Sequence, residues 1–133
     1  MFDNLWVEKY RPKKLDDFCT SDSSTLKEFL GKCNVDNEIP NILLVGHPGI
    51  GKTTISKIIV NELLECDYLY INASDENGID TIRSKVTNYA RTKSLFDIKI
   101  VILDECDGLT QDGQRALRNV MEEYSAITRF ILT

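Results

Sequence analysis

Long hydrophobic runs are missing from this 133-residue chain: no apolar stretch exceeds about five residues, far short of the roughly 18 needed to cross a bilayer. The opening segment, MFDNLWVEKYRP, lacks the basic region and apolar core of a signal peptide. The expectation is a soluble protein of the cytoplasm or nucleus with no membrane partner. Cysteine is sparse and unpaired in pattern. Cys19, Cys33, Cys66 and Cys106 form no C-x-x-C pair, which excludes a recognisable zinc site or disulfide framework and predicts reduced, mostly buried thiols. Positive charge is in deficit, with 16 Lys and Arg against 21 Asp and Glu and a net charge of −5. That argues against a wholly basic nucleic-acid binder, because affinity for phosphate backbones comes mainly from Lys and Arg. One stretch runs the other way: between Asp80 and Leu95 a single acid faces Arg83, Lys85, Arg91 and Lys93. Internal repeats, low-complexity tracts and linkers are also absent, and the length suits one packed domain.

What is present is an alternation of helical and strand-like periods. Ser23 to Lys32 carries Leu26, Phe29 and Leu30 at helical spacing, with Gly31 as the expected stop. Asn41 to Val45 reads as a strand, and Lys52 to Leu64 as a helix burying Ile55, Ile58, Ile59 and Leu63. Tyr68 to Asn72 is a second strand. Ile79 to Ala90 places Ile79, Ile82, Val86, Tyr89 and Ala90 on one helical stripe. The apolar run Ile98 to Leu103, a helix from about Gln111 to Tyr124 and a strand from Arg129 to Thr133 complete the order. Strands separated by helices imply a parallel sheet with helices on both faces, because parallel neighbours need crossover connections. The expected fold class is α/β, in two parts: an N-terminal arm and helix over 1–40 and a core over 41–133.

The stretch GHPGIGKTT, Gly46 to Thr54, explains why the core is expected to hold nucleotide. Gly46, Gly51, Lys52 and Thr53 satisfy G-x-x-x-x-G-K-[ST], placed between a predicted strand and a predicted helix. Glycines let the backbone curl so that successive N–H groups point inward at phosphates, and the helix start adds partial positive charge. Lys52 can reach the β and γ phosphates of ATP, and the Thr53 hydroxyl can ligate Mg²⁺. A second motif, KIVILDE from Lys99 to Glu105, is an apolar strand ending in two carboxylates about 50 residues after the loop. Strands of an open parallel sheet end on one edge, so Asp104 is expected beside the loop, holding Mg²⁺. Glu105, pointing differently, is placed to polarise a water against the γ phosphate.

Five stretches together resemble one family along nearly the whole chain: WVEKYRPKKLDDF, the phosphate loop, INASDENGIDTIRSKV, IVILDECDGLTQDGQRALRNVMEEYS and TRFILT. They are similar to the small subunits of replication factor C, AAA+ ATPases that load sliding clamps onto DNA, and to bacteriophage clamp-loader subunits. The source is accordingly open between viral, archaeal and eukaryotic. The resemblance implies a P-loop (AAA+) fold and ATP and Mg²⁺ as cofactors. Its implied partners are the other subunits of a ring, a sliding clamp and primer-template DNA. It implies that Trp6 to Pro12 packs on adenine, with Val7 and Arg11 touching the nucleotide beside the loop residues Gly46, His47, Pro48, Gly49, Ile50, Gly51, Lys52, Thr53 and Thr54. It also implies that Ala73-Ser74-Asp75-Glu76 leads into a helix facing DNA. On a helical wheel from Ile79, Arg83, Ser84, Thr87, Asn88 and Arg91 share a polar arc, which makes Arg83 and Arg91 the candidate phosphate contacts. Gln114, Arg115 and Arg118 are open between subunit coupling and a solvated surface.

The departures from the family are local. His47 and Ile50 stand where the family has proline and threonine, and neither position supplies a required ligand. His47 reads as a loop variant, and Cys106, where the family has alanine, as a small buried residue. The family's γ-phosphate-sensing asparagine, arginine finger, fifth strand and helical lid lie beyond Thr133. The expectation is therefore a segment with four parallel strands, an exposed first strand and slow hydrolysis on its own. The primary functional reading is an ATP-hydrolysing clamp-loader subunit. A non-hydrolysing structural subunit, another AAA+ DNA-remodelling ATPase and a small-molecule kinase are its alternatives.

Overall fold

The computed structural model of the chain describes residues 6–17, 23–36, 39–75 and 78–133. Four parallel strands, β1 (Ile42–Leu43), β2 (Tyr68–Asn72), β3 (Lys99–Asp104) and β4 (Thr128–Leu132), form a sheet in the order β1-β4-β3-β2. Helices α1 (Trp6–Lys9), α2 (Ser23–Asp36), α3 (Lys52–Ile58), α4 (Ile79–Arg91) and α5 (Gln111–Glu123) surround it. Three crossovers join the four strands and all pairings are parallel, so the strand tips Leu43, Asn72, Asp104 and Leu132 lie along one rim. This rim positions the site.

β3 explains the layering. Every residue from Lys99 to Asp104 is buried, as expected for a central parallel strand covered on both faces. Ile100 and Ile102 join Leu15, Ile55, Ile58, Ile59 and Ile131 on the α3 face. Val101 and Leu103 join Ile71, Ile82, Val86, Leu117, Val120 and Phe130 on the α4 and α5 face. The period of two in a strand thus splits one apolar run between two cores.

Several boundaries differ from the sequence expectation, each for a local reason. α2 does not stop at Gly31 but runs to Asp36. An interior glycine costs only about 1 kcal/mol, nothing crowds Gly31, and Lys32 pairs with Glu28 at 2.9 Å across it. The first strand is shorter than Asn41 to Val45: only Ile42 and Leu43 pair with β4, with Leu44 N adding one bond to Leu132 O at 2.8 Å. It is an edge strand, and Leu43 and Val45 are 66% and 81% exposed. β3 and β4 are each displaced by one residue from expectation, to Lys99–Asp104 and Thr128–Leu132. The helix expected over Lys52 to Leu64 is α3 followed by a wider π turn at Ile59–Leu63. Cys66 and Cys106 are free thiols, half-buried and not buried as expected; Cys19 and the side chain of Cys33 lie outside the described residues. Among the described residues no helix is long and apolar enough to cross a membrane.

Candidate functional site

The loop between β1 and α3 bends at two glycines. Gly49 has φ 81° and Gly51 φ 99°, conformations that a side chain would strain. Gly51 caps α3, and its carbonyl accepts the first helical bond, from Ile55 N at 2.9 Å. Lys52 folds back over the loop and donates from Nζ to Gly46 O at 2.6 Å. The loop and the strand rim enclose a cleft of about 570 Å³.

Thr53, in the first turn of α3, meets the tip of β3. Its hydroxyl lies 2.9 and 2.8 Å from the two Asp104 carboxylate oxygens. Asp104 is only 5% exposed, and three further donors reach it. Tyr70 OH donates at 2.6 Å, the Glu105 amide at 3.1 Å, and the Thr133 hydroxyl binds Oδ1. Burial works to raise the Asp104 carboxyl, but the bonds from Thr133, Tyr70, Thr53 and the Glu105 amide outweigh it and hold the group below its usual range. It is thus kept as a carboxylate aimed at Thr53.

Glu105 departs from its neighbour's direction because its backbone is left-handed, φ 57° and ψ 44°. The turn leaves Asp104 buried and Glu105 exposed at the cleft wall. The Ser74 hydroxyl, 2.7 Å from Asn72 Oδ1, also binds Glu105 Oε2. Ser74 lies two residues past the end of β2, so the tips of β2 and β3 are linked through this glutamate.

Of the residues singled out from sequence, Arg11, Pro48, Gly49, Gly51, Lys52, Thr53, Thr54, Asp104 and Glu105 all line the one cleft. Arg11 reaches it from the N-terminal arm, its Nη1 3.4 Å from Thr54 Oγ1. Gly46 contributes its carbonyl to Lys52. Ile50 lies against Gly46, its Cδ1 where a Cβ on that glycine would sit. His47 is exposed and is not among the lining residues. The side chain of Val7 lies outside the described residues, as does Glu76. Trp6 and Tyr10 pack edge to face at 6.5 Å, 80% and 70% exposed. Arg83 and Arg91 stand away from the cleft on the exposed side of α4, beside Ser84 and Asn88. Thr87 does not belong to that solvent face: it is half-buried against α5 and lies 3.0 Å from the Tyr124 hydroxyl. Gln114, Arg115 and Arg118 are exposed on α5. Cys106 donates from Sγ to Leu103 O at 3.1 Å, and burial pushes its thiol up to about 11, away from any nucleophilic use.

Tyr70 and Thr133 were outside the sequence expectation, and Ser74 was in it only as part of a helix lead-in. The available signal was positional, since all three are hydroxyl-bearing residues within two places of a strand tip on the rim that carries Asp104. The donor set suits a hard divalent cation: a hydroxyl and a buried carboxylate in contact are the oxygen ligands that Mg²⁺ takes together with substrate phosphates. Among the described residues no group of three or more His, Cys, Asp or Glu is placed to hold a metal ion.

The replication factor C small subunit of Staphylothermus marinus is 48% identical over 136 aligned residues, covering 96% of this chain and 40% of that protein. Its counterpart in Thermofilum pendens is 46% identical, covering 99% and 42%. The chain therefore spans about two fifths of the length of these relatives. Among solved structures, the Thermotoga maritima RuvB Holliday junction branch migration motor superposes with a TM-score of 0.71 at 24% identity, over 92% of this chain and 40% of that one. That likeness is one of fold. The family model for the ATPase family associated with various cellular activities (AAA) matches residues 42–133, the span that carries both the glycine loop and the acid pair. The chain belongs to the AAA family of ATPases.

Proposed function

We propose that this chain is the ATP-binding and ATP-hydrolysing part of a sliding-clamp loader subunit in DNA replication. The observation that carries the reading is the contact of Thr53 with Asp104 at 2.8 to 2.9 Å in a cleft also walled by Lys52 and Glu105. Lys52 exchanges its Gly46 carbonyl for the β and γ phosphates, and the amides of Gly49 to Thr53 wrap the same anion. Arg11 and Val7 hold the nucleoside end. Thr53 and Asp104 hold Mg²⁺, which when bound neutralises charge on the phosphates. Glu105 orients the attacking water, with Ser74 setting the carboxylate's direction. The similarity to replication factor C small subunits over 96% of the chain supports the clamp-loading role. ATP binding then closes a ring of subunits around the clamp at a primer-template junction, and hydrolysis releases it. Arg83 and Arg91 contact the DNA backbone without regard to sequence.

The test is the steady-state ATPase rate of the chain and of its Glu105→Gln variant, alone and with partner subunits, clamp and primed DNA. Expected is stimulation by clamp and DNA together, abolished in Glu105→Gln while nucleotide binding persists. Nucleotide binding with no turnover in the assembled complex would replace this reading by that of a structural subunit.

A further inference from the structure

Tyr70 belongs to neither motif, yet it donates the 2.6 Å hydrogen bond to Asp104 Oδ2. The register explains the reach. Tyr70 pairs with Ile102 and Asn72 with Asp104, so Tyr70 shares the face that carries Ile102 and Asp104 and leans forward by two residues. α3 covers this face, and two of its residues four apart address the pair. Thr53 binds Asp104, while Lys57 places its ammonium 4.9 Å from the centre of the Tyr70 ring. A cation over the ring is attracted to its π face and draws electron density from it, which strengthens the phenol as a donor. Packing alone does not require this hydroxyl, because phenylalanine fills the same volume.

Resting on the nucleotide reading above, we propose that Tyr70, backed by Lys57, is a positioning residue that fixes Asp104 Oδ2 so that the carboxylate faces Thr53 as a nucleotide-bound divalent cation requires. Partners that orient a metal-binding carboxylate typically change metal affinity by about 10- to 100-fold when removed. With four donors on one buried carboxylate, the loss of one is expected at the lower end of that range.

The experiment measures binding of a fluorescent ADP analogue against Mg²⁺ concentration, with Mn²⁺ paramagnetic resonance as a second readout of the ion itself. Tyr70→Phe is expected to leave metal-free nucleotide affinity within about twofold and to raise the Mg²⁺ midpoint about tenfold. Lys57→Met is expected to shift it the same way by less. In an Asp104→Asn background, Tyr70→Phe is expected to add nothing, because its effect passes through that carboxylate. Superimposable Mg²⁺ curves for wild type and Tyr70→Phe, or an undiminished shift in the Asp104→Asn background, overturn the role of Tyr70. Wild type that binds no nucleotide, or binds it without regard to Mg²⁺, overturns the nucleotide reading itself and the Tyr70 role with it.

Discussion

Replacing Lys99 by methionine removes a buried cation while keeping the length of its stem. Lys99 opens the central strand, is 6% exposed, and sends its ammonium under the C-terminal end of α4. The three N–H groups on Nζ are shared among Tyr89 O at 2.7 Å, Ala90 O at 3.0 Å, Thr92 Oγ1 at 3.1 Å and Thr92 O, and Nζ lies 5.3 Å from the Tyr89 ring centre. Ala90 O is a carbonyl that the helix end leaves unpaired, whereas Tyr89 O also accepts from the Thr92 amide at 3.1 Å and Thr92 lies just past the last residue of α4. A partly buried cation at such an end contributes up to about 2 kcal/mol through the helix dipole, and each buried carbonyl left unsatisfied costs about 1 to 3 kcal/mol. Thr92 is exposed and regains water, and Tyr89 is half-buried, so Ala90 carries most of that second loss. Together the expected destabilisation is about 3 kcal/mol, roughly a 150-fold change in the folding constant. Guanidinium unfolding followed by circular dichroism reads it, with Lys93→Met, an exposed lysine on the same connection, expected to stay within about 0.5 kcal/mol. A loss below about 1 kcal/mol for Lys99→Met at unchanged denaturant slope would refute the account of α4 being closed from the sheet.

The remaining predictions concern other parts of the molecule. Burial pushes the thiols of Cys66 and Cys106 from 9.0 up to about 11; both are less acidic folded than unfolded, so their contribution to stability is whole below about pH 9 and lost as pH rises through 11. Urea midpoints are therefore expected to be level from neutrality to near pH 9 and to decline above it, less steeply when both cysteines are serine; identical declines would contradict this. Arg83→Ala and Arg91→Ala are each expected to reduce the salt slope of primed-DNA binding by about 0.9, and an unchanged slope by fluorescence anisotropy would remove that arginine from the interface. The exposed apolar edge at Leu43 is expected to pair between copies of this chain; Leu43→Lys is then expected to lower that association in analytical ultracentrifugation without a loss of melting temperature beyond about 2 °C, and a wild type that sediments as a monomer, or association unchanged by the substitution, would refute edge pairing.

How far the architecture can be read from residues alone depends on what each signal encodes. β2 matches its expected span, Tyr68 to Asn72, residue for residue. α3 starts at Lys52 as expected because the positive φ of Gly51 is a local breaker. Lys52, Thr53 and Asp104 lie together in the structure for the reason that spacing and strand direction suggest: parallel strands end on one rim. The continuation of α2 through Gly31 was not legible, since a glycine signals a stop only where the following turn needs one. The brevity of β1 follows from its edge position, which the apolar run Ile42 to Val45 does not encode. Tyr70 carries no signal of its own in the sequence because its reach depends on register with β3, and Thr133 carries none because its hydroxyl acts only as the neighbour of β3 in space. The π turn at Ile59–Leu63 adds one residue to a helical period without breaking the apolar stripe, so no pattern marks it.

The left-handed backbone at Glu105 sets robustness against chemistry. A side chain other than glycine or asparagine held at φ 57° carries about 1 to 2 kcal/mol of steric penalty, and asparagine adopts that conformation far more readily. Selection for heat resistance alone would thus favour Glu105→Asn and discard the carboxylate that faces the cleft. A thermostable lineage that retains glutamate there is one in which the acid, and not the fold, decides survival.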